Sequence, residues 1–291
     1  MKPATATLFL LLAPLALAQD AEITFKSTEI SSGIYMVEAE GGFGGGNMAI
    51  LAGDKHVAMI DDGLPPLAPK LLDHVTETVG RPIEFMVNTH VHGDHAGGNA
   101  HFAESGTVVF AHDNIRKRLL ADSTGAGGPG GLPVVTFGDG VTFHLDNVEA
   151  RVIHVPTAHT DGDAFIYFPK ANVIHTGDVL FHALFPYIDL TSGGTVDGYI
   201  AAQKAILDLA DDDTKIIPGH GALTNKAGMQ ADHAMLVAGQ VAVKALVDQG
   251  MSEDEAVAAN PLAEYADDFN WGFIDAERMT RTIYKDLTAG N

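Results

Sequence analysis

The chain contains no cysteine in its 291 residues. That excludes disulfides, a lipid anchor on Cys, and a thiolate as a metal ligand. Basic residues are scarce, with 17 Lys and Arg against 38 Asp and Glu and a net charge of −21. Non-specific nucleic-acid binding needs basic patches to neutralise phosphates, so no nucleic-acid partner is expected. An acidic surface suits a self-repelling soluble monomer or small homo-oligomer. Long apolar runs are also missing. The longest near the start, residues 8–17, is too short to cross a bilayer as a stable helix, so no stable membrane span is expected. Tryptophan occurs once, as Trp271, which together with Phe273 is expected to anchor the last helix.

What is present is a chain with 46% hydrophobic residues, enough for a sizeable core, and no segment that reads as a linker. Lys2, the apolar run and the small-x-small sequence Ala16-Leu17-Ala18 before Gln19 read as a cleaved signal peptide over residues 1–18. A periplasmic or secreted protein is therefore expected, with a single domain over 19–291. Strand-like runs fall at 33–37, 47–51, 56–60, 85–89, 107–111, 141–145, 148–155, 164–168, 173–175 and 215–217. Helical spacing falls at 67–79, 113–121, 197–209, 226–248, 252–259 and 275–287, the fifth with Ser252 and Glu255 as a capping box. Strands in runs with helices between them, twice over, suggest two sheets packed face to face with helices outside.

The densest chemistry follows the run at 85–89, in His90-Val91-His92-Gly93-Asp94-His95. Neutral imidazoles and a carboxylate are what Zn²⁺ takes when thiolates are absent. Alternation can point His90 and His92 to one side, while Asp94 and His95 turn toward a second point. Three further candidates follow apolar runs: His159 after Val155, Asp178 after Val173-Ile174, and His220 after Ile216-Ile217. Glycine, proline or small residues flank each of them. Loops on a rigid scaffold are where sites are built.

This set, in this order, resembles the metallo-β-lactamase superfamily, and Ile60-Asp61-Asp62-Gly63 is similar to that family's strand-end Asp-x-Gly. The resemblance implies an α/β fold, the four-layer αββα metallo-β-lactamase sandwich, with metals at one edge of the sheets. It implies His90, His92 and His159 on a first zinc and Asp94, His95 and His220 on a second, with Asp178 bridging. Zn²⁺ would thus be bound twice per chain. Asp61 would brace the ligands from behind. The mechanism implied is hydrolysis, in which a metal-bridging hydroxide attacks an acyl carbonyl. Asp94 would orient the nucleophile and shuttle its proton, and Asp94 and Asp178 are the catalytic candidates.

Departures from the family's subgroups narrow the choice. His92 weakens a likeness to flavin-partnered di-iron oxidoreductases. The absence of cysteine disfavours the largest class of true β-lactamases. Thr176-Gly177-Asp178 is more similar to glyoxalase II, lactonases and other general hydrolases. The small-molecule substrate expected is an ester, lactone, thioester or amide. The alternatives are a weak or promiscuous β-lactamase and, further off, an iron-dependent persulfide-type dioxygenase. Phe43, on the glycine-rich tip at 41–46, and His182 and Tyr187, close after Asp178, are candidates to line the substrate pocket, with Asp189 beside them. The glycine-rich loop at 123–131 is a further specificity candidate.

Overall fold

The structure, a computed structural model, describes residues 22–121 and 130–289. The expected signal peptide and all but the end of the loop at 123–131 lie outside the described residues. Seven strands form one sheet in chain order: β1 (Thr24–Ser31), β2 (Ile34–Glu40), β3 (Met48–Ala52), β4 (Val57–Ile60), β5 (Phe85–Val87), β6 (Val108–His112) and β7 (Val135–Phe137). β1 to β4 are antiparallel, and β4 to β7 run parallel. The second sheet holds β8 (Gly140–Leu145), β9 (Val148–His154), β10 (Ala164–Phe168), β11 (Val173–His175), β12 (Lys215–Ile217) and β13 (Thr224–Asn225), ordered β13-β12-β11-β10-β9-β8. Only its β11–β12 pair is parallel.

Side-chain alternation explains why the sheets stack. On β3, Ala49 and Leu51 enter the core between the sheets, where they join Phe143, Val152 and Ile166. Met48 and Ile50 point the other way, onto Leu71 and Val75 of helix α1 (Ala68–Val79). The second sheet repeats this. Ile166 faces the inter-sheet core, while Phe165 packs with Ile206 and Met229 of α4 (Val196–Leu209) and α5 (Lys226–Asp248). Strands buried on both faces read as continuous apolar runs, which is why 47–51 and 57–60 stand out in the sequence. The result is a four-layer αββα sandwich. A fourth apolar cluster joins α4 and α5 to α8 (Ala276–Thr288).

Several elements escape the sequence pattern, among them the short strands β7 and β13, strand β1 and helix α2 (Asn99–Glu104). β1 is polar apart from Phe25 and Ile30, its two buried residues, because it is an edge strand. Helix α2 has six residues and no side-chain cap. The capping box at Ser252 and Glu255 is formed, at the start of α6 (Glu253–Ala258); α3 (Asp113–Ala121) and α7 (Ala266–Phe269) are the remaining α-helices among the described residues.

The parallel pairs β4–β5 and β11–β12 fix where function sits. Loops leaving the carboxyl ends of parallel strands emerge at one edge. Those four loops begin at Asp61, Asn88, Thr176 and Pro218, and they carry most of the expected ligands.

Candidate metal centre

The side chains expected as ligands converge in two groups whose donor atoms lie within 4.8 Å of one another. One is His90, His92, His159 and Asp178; the other is Asp94, His95 and His220. Asp178 stands between them. Its Oδ2 is 3.5 Å from His90 Nε2 and 3.4 Å from His159 Nε2. Its Oδ1 is 3.0 Å from His95 Nε2 and 3.5 Å from His220 Nε2. One carboxylate oxygen therefore addresses each group. Asp94 Oδ2 completes the second, 3.3 Å from His220 Nε2 and 3.7 Å from His95 Nε2.

Hydrogen bonds behind the histidines fix which nitrogen each presents. Thr89 Oγ1 donates to Asp61 Oδ2 (2.7 Å), so its lone pair receives His90 Nδ1–H (3.0 Å). His95 Nδ1–H donates to the same Asp61 Oδ2 (2.8 Å). His159 Nδ1–H donates to the Tyr187 carbonyl (2.6 Å). His92 is turned the other way, its Nε2–H donating to Asp189 Oδ2 (3.0 Å) while Nδ1 faces His159 Nε2 (2.8 Å). With the outer nitrogen protonated, the inner one of each ring offers a lone pair, which is the tautomer a metal ligand needs. Asp61 holds the His95 ring directly and the His90 ring through Thr89, and is itself buried, with φ 58, a left-handed conformation that is costly outside glycine.

These residues fit a pair of divalent cations. His90 Nε2 is a buried polar atom without a hydrogen-bond partner, and it belongs to the first of the groups just described. A buried unpaired acceptor costs about 1–3 kcal/mol, and coordination removes that cost. Glycine makes room for the ligands. A side chain at Gly46 would overlap the His95 ring, and one at Gly219 would overlap Asp178 Oδ1.

The electrostatics agree. Burial drives the His90 imidazole well below its ordinary value, and the His95 charge adds to the effect. Burial also lowers His159, to about 4. At His95 burial is outweighed by Asp178, Asp94 and Asp61, which hold it well above its ordinary value. His220 is likewise held up to about 9 by Asp178 and Asp94 against its burial. Burial would raise Asp178, yet the surrounding imidazoles hold it well below the usual carboxylate range. With protein groups alone, the carboxylates thus draw compensating positive charge onto two histidines. A cation supplies that charge by displacing the protons.

A cavity of about 710 Å³ opens above the ligands. Phe43 and Tyr187, both expected there, line it. Phe43 is 59% exposed, with its ring stacked 6.1 Å from that of His220. His182 does not line the cavity. Its Nδ1–H donates to Asp232 Oδ2 (2.8 Å) on α5, and this pairing turns the ring away. Asp189 is not a wall residue either. It orients His92 and caps the following turn through Thr191 and Ser192. Trp271 and Phe273 do contact the last helix, Trp271 by packing against the cluster of Met279 and Ile283 and Phe273 through Arg278, and both also form cavity wall, which was not expected. Trp271 still ties its segment to the body, its Nε1–H donating to the Phe185 carbonyl (2.9 Å). Nothing in local sequence marks a residue so far along the chain as a neighbour of His220.

Comparison with known proteins gives a consistent picture. The profile described as "Metallo-beta-lactamase superfamily" matches residues 41–220. A hydroxyacylglutathione hydrolase of Rhodospirillum rubrum is 35% identical over 127 residues, which is 43% of each chain, so the match spans less than half of that enzyme. A type 2 metallo-β-lactamase of Bacteroides fragilis is 22% identical over 70% of this chain and 81% of its own. Among solved structures, the inverting sec-alkylsulfatase Pisa1 from Pseudomonas sp. aligns with a TM-score of 0.68 at 18% identity. The alignment covers 93% of this chain and 51% of that one.

Proposed function

This chain belongs to the metallo-β-lactamase superfamily, and from that premise we propose that it is a dinuclear zinc hydrolase of small esters, lactones, thioesters or amides. The observation that carries the reading is Asp178, with one oxygen toward each ligand group. Such a carboxylate suits a site that holds two ions. When bound, a zinc pair supplies Lewis acidity toward a carbonyl oxygen and an acidified water.

The chain's own residues do the rest. His90, His92 and His159 would hold the first ion, and Asp94, His95 and His220 the second. Asp61, Asp189 and the Tyr187 carbonyl keep the rings aimed. Burial works to raise Asp94, but His95 and His220 outweigh it and keep the carboxyl low and ionised. Its Oδ atoms are therefore acceptors at neutral pH, on a residue that lines the cavity. Asp94 is thus suited to orient the attacking water and take up its proton.

The segment at 1–18 supports a periplasmic or secreted address through its n-region, apolar run and small-x-small site. A general hydrolase is the stronger reading than a dedicated β-lactamase because every ligand here is imidazole or carboxylate, and Asp178 lies between the groups.

Two measurements test this. Metal analysis of the isolated protein should return about two zinc ions per chain; a single iron would favour the dioxygenase alternative. A hydrolysis screen of the zinc-loaded protein should set nitrocefin beside aryl esters, lactones and thioesters. The proposal expects turnover of an ester, lactone or thioester above that of nitrocefin. Full activity in metal-free protein, or undiminished activity in His92→Ala, would overturn it.

A further inference from the structure

The wall of the cavity above the metal groups has a composition that restricts what can enter. Apart from the ligands at its floor, it is built from Phe43, Leu64, Phe181, Tyr187, Trp271 and Phe273, with Pro65 and two glycines. Trp271 spends its N–H on the Phe185 carbonyl, so it turns an apolar ring to the cavity. Among the described residues, no Lys or Arg lines this space. Arg278 stacks on two residues of the aromatic wall. Its guanidinium carbon lies 4.1 Å from the Phe273 ring centroid and 5.8 Å from that of Tyr187. Its Nη1–H donates to the Phe273 carbonyl (2.9 Å), and with Arg281, Asp275 and Glu277 it lines an adjoining surface depression on the other side of Trp271, Gly272 and Phe273, not the cavity itself.

A substrate carboxylate remote from the scissile bond would be desolvated in this cavity without a counter-ion. Burying an unpaired charge is far more costly than burying a methyl group. The chain as a whole carries −21, which adds no attraction for an anionic tail. Recognition of a carboxylate or phosphate tail normally takes Arg or Lys at the contact. The volume of about 710 Å³ is that of a drug-sized ligand site rather than of a single small acyl group.

We infer that this enzyme selects substrates whose non-reacting part is an uncharged, bulky alkyl or aromatic group, and discriminates against those bearing a remote carboxylate. The inference rests on the hydrolase reading above and specifies the substrate for the same site. Hydrolysis adds water across an acyl–oxygen or acyl–sulfur bond, releasing an acid and an alcohol or thiol, so no further reactant is required. Aromatic side chains position such a group by stacking and area burial rather than by hydrogen bonds. Specificity for one apolar group over another is then modest, while discrimination by charge is large.

A matched series tests it, with one leaving group and one chain length. The zinc-loaded protein is assayed with p-nitrophenyl hexanoate, p-nitrophenyl monoadipate and the ω-trimethylammonio ester of similar length. The hexanoate should lead both charged esters by about tenfold or more in kcat/KM, mainly through KM. In Phe43→Lys, whose exposed site tolerates the change, the hexanoate-to-monoadipate ratio should shrink by about tenfold. Preference for either charged ester in the wild-type protein would overturn the inference while leaving the hydrolase reading intact.

A second readout is independent of turnover. Trp271 is the chain's single tryptophan and lines the cavity, so its fluorescence reports occupancy directly. N-Hexylbenzamide should quench or shift that emission at concentrations at which its para-carboxylate derivative does not. Equal responses to the two would count against the inference. The expected difference, without hydrolysis of any ester, would sustain the cavity's selectivity and overturn the hydrolase reading instead.

Discussion

An imidazole binds a metal through one nitrogen only when its other nitrogen keeps the proton, so the groups that accept those protons matter as much as the rings. His92 is the informative case, because it alone presents Nδ1 and relies on a side chain far along the sequence, Asp189. Burial would raise the Asp189 carboxyl, yet His92, Thr191 and Ser192 hold it far below its ordinary range, so it stays a carboxylate. Asp189→Asn keeps an oxygen for the turn cap and replaces the other acceptor with a donor. The ring loses its reason to hold the metal-binding tautomer. Zinc affinity or kcat/KM should fall by about ten- to a hundredfold with the circular dichroism spectrum unchanged. An unaltered zinc titration would show that Asp189 only caps the turn. Asp178→Asn should act differently, because amide for carboxylate removes the negative charge between the groups. Zinc content should drop to about one per chain, and activity by on the order of a hundredfold or more. Retention of two zincs with full turnover would remove the bridging role.

Glycine positions separate two kinds of constraint at the level of turns and strands. Gly46 opens β3 from the hairpin tip, and a side chain there would overlap the His95 ring. Gly80 caps α1 in the left-handed region at φ 68, with nothing within 4 Å of an added Cβ. Gly46→Ala should therefore abolish most activity by displacing a ligand while the protein still folds. Gly80→Ala should cost about 1 kcal/mol of stability and leave kcat/KM unchanged. Equal effects of the two on activity would show that the hairpin tip does not seat His95. The same contrast explains what was legible in the sequence. Helix α1 could be read from its spacing and its terminal glycine, because both signals are local. The ligand loops could be read because each ligand stands next to an apolar strand among glycine, proline or small residues. His182 was misplaced because proximity to Asp178 along the chain does not say which way a ring turns. Its direction is set by Asp232, on a helix fifty residues on. Trp271 and Phe273 do anchor the last helix, but their second place, in the cavity wall, was not legible for the same reason. Only the packing of the last helices brings Trp271 beside His220 and Phe273 beside Tyr187.

Across the whole molecule, the candidate ligands cross-connect the two sheets. His90, His92, Asp94 and His95 follow β5 of the first sheet, while His159, Asp178 and His220 follow β9, β11 and β12 of the second. The inter-sheet core joins the same layers by apolar contact, but at the site edge it gives way to buried polar groups. There cohesion depends on charge balance. Bound cations should therefore stabilise the sandwich as well as supply its chemistry, since they bind the folded arrangement far better than the dispersed ligands of the unfolded chain. With free zinc a thousandfold above its dissociation constant, the gain is about 4 kcal/mol. For a chain of this length that corresponds to a rise in Tm of roughly 10 °C. Calorimetric scans with zinc, with a chelator, and with zinc restored should show the midpoint fall and recover. His95 and His220 offer a partial substitute, because their protons offset Asp178 and Asp94 when no cation does. The chelated protein should thus remain folded at neutral pH at a lower midpoint. A midpoint indifferent to chelation in protein shown to have held zinc would mean that the polar edge balances its own charge and that the metals contribute chemistry alone.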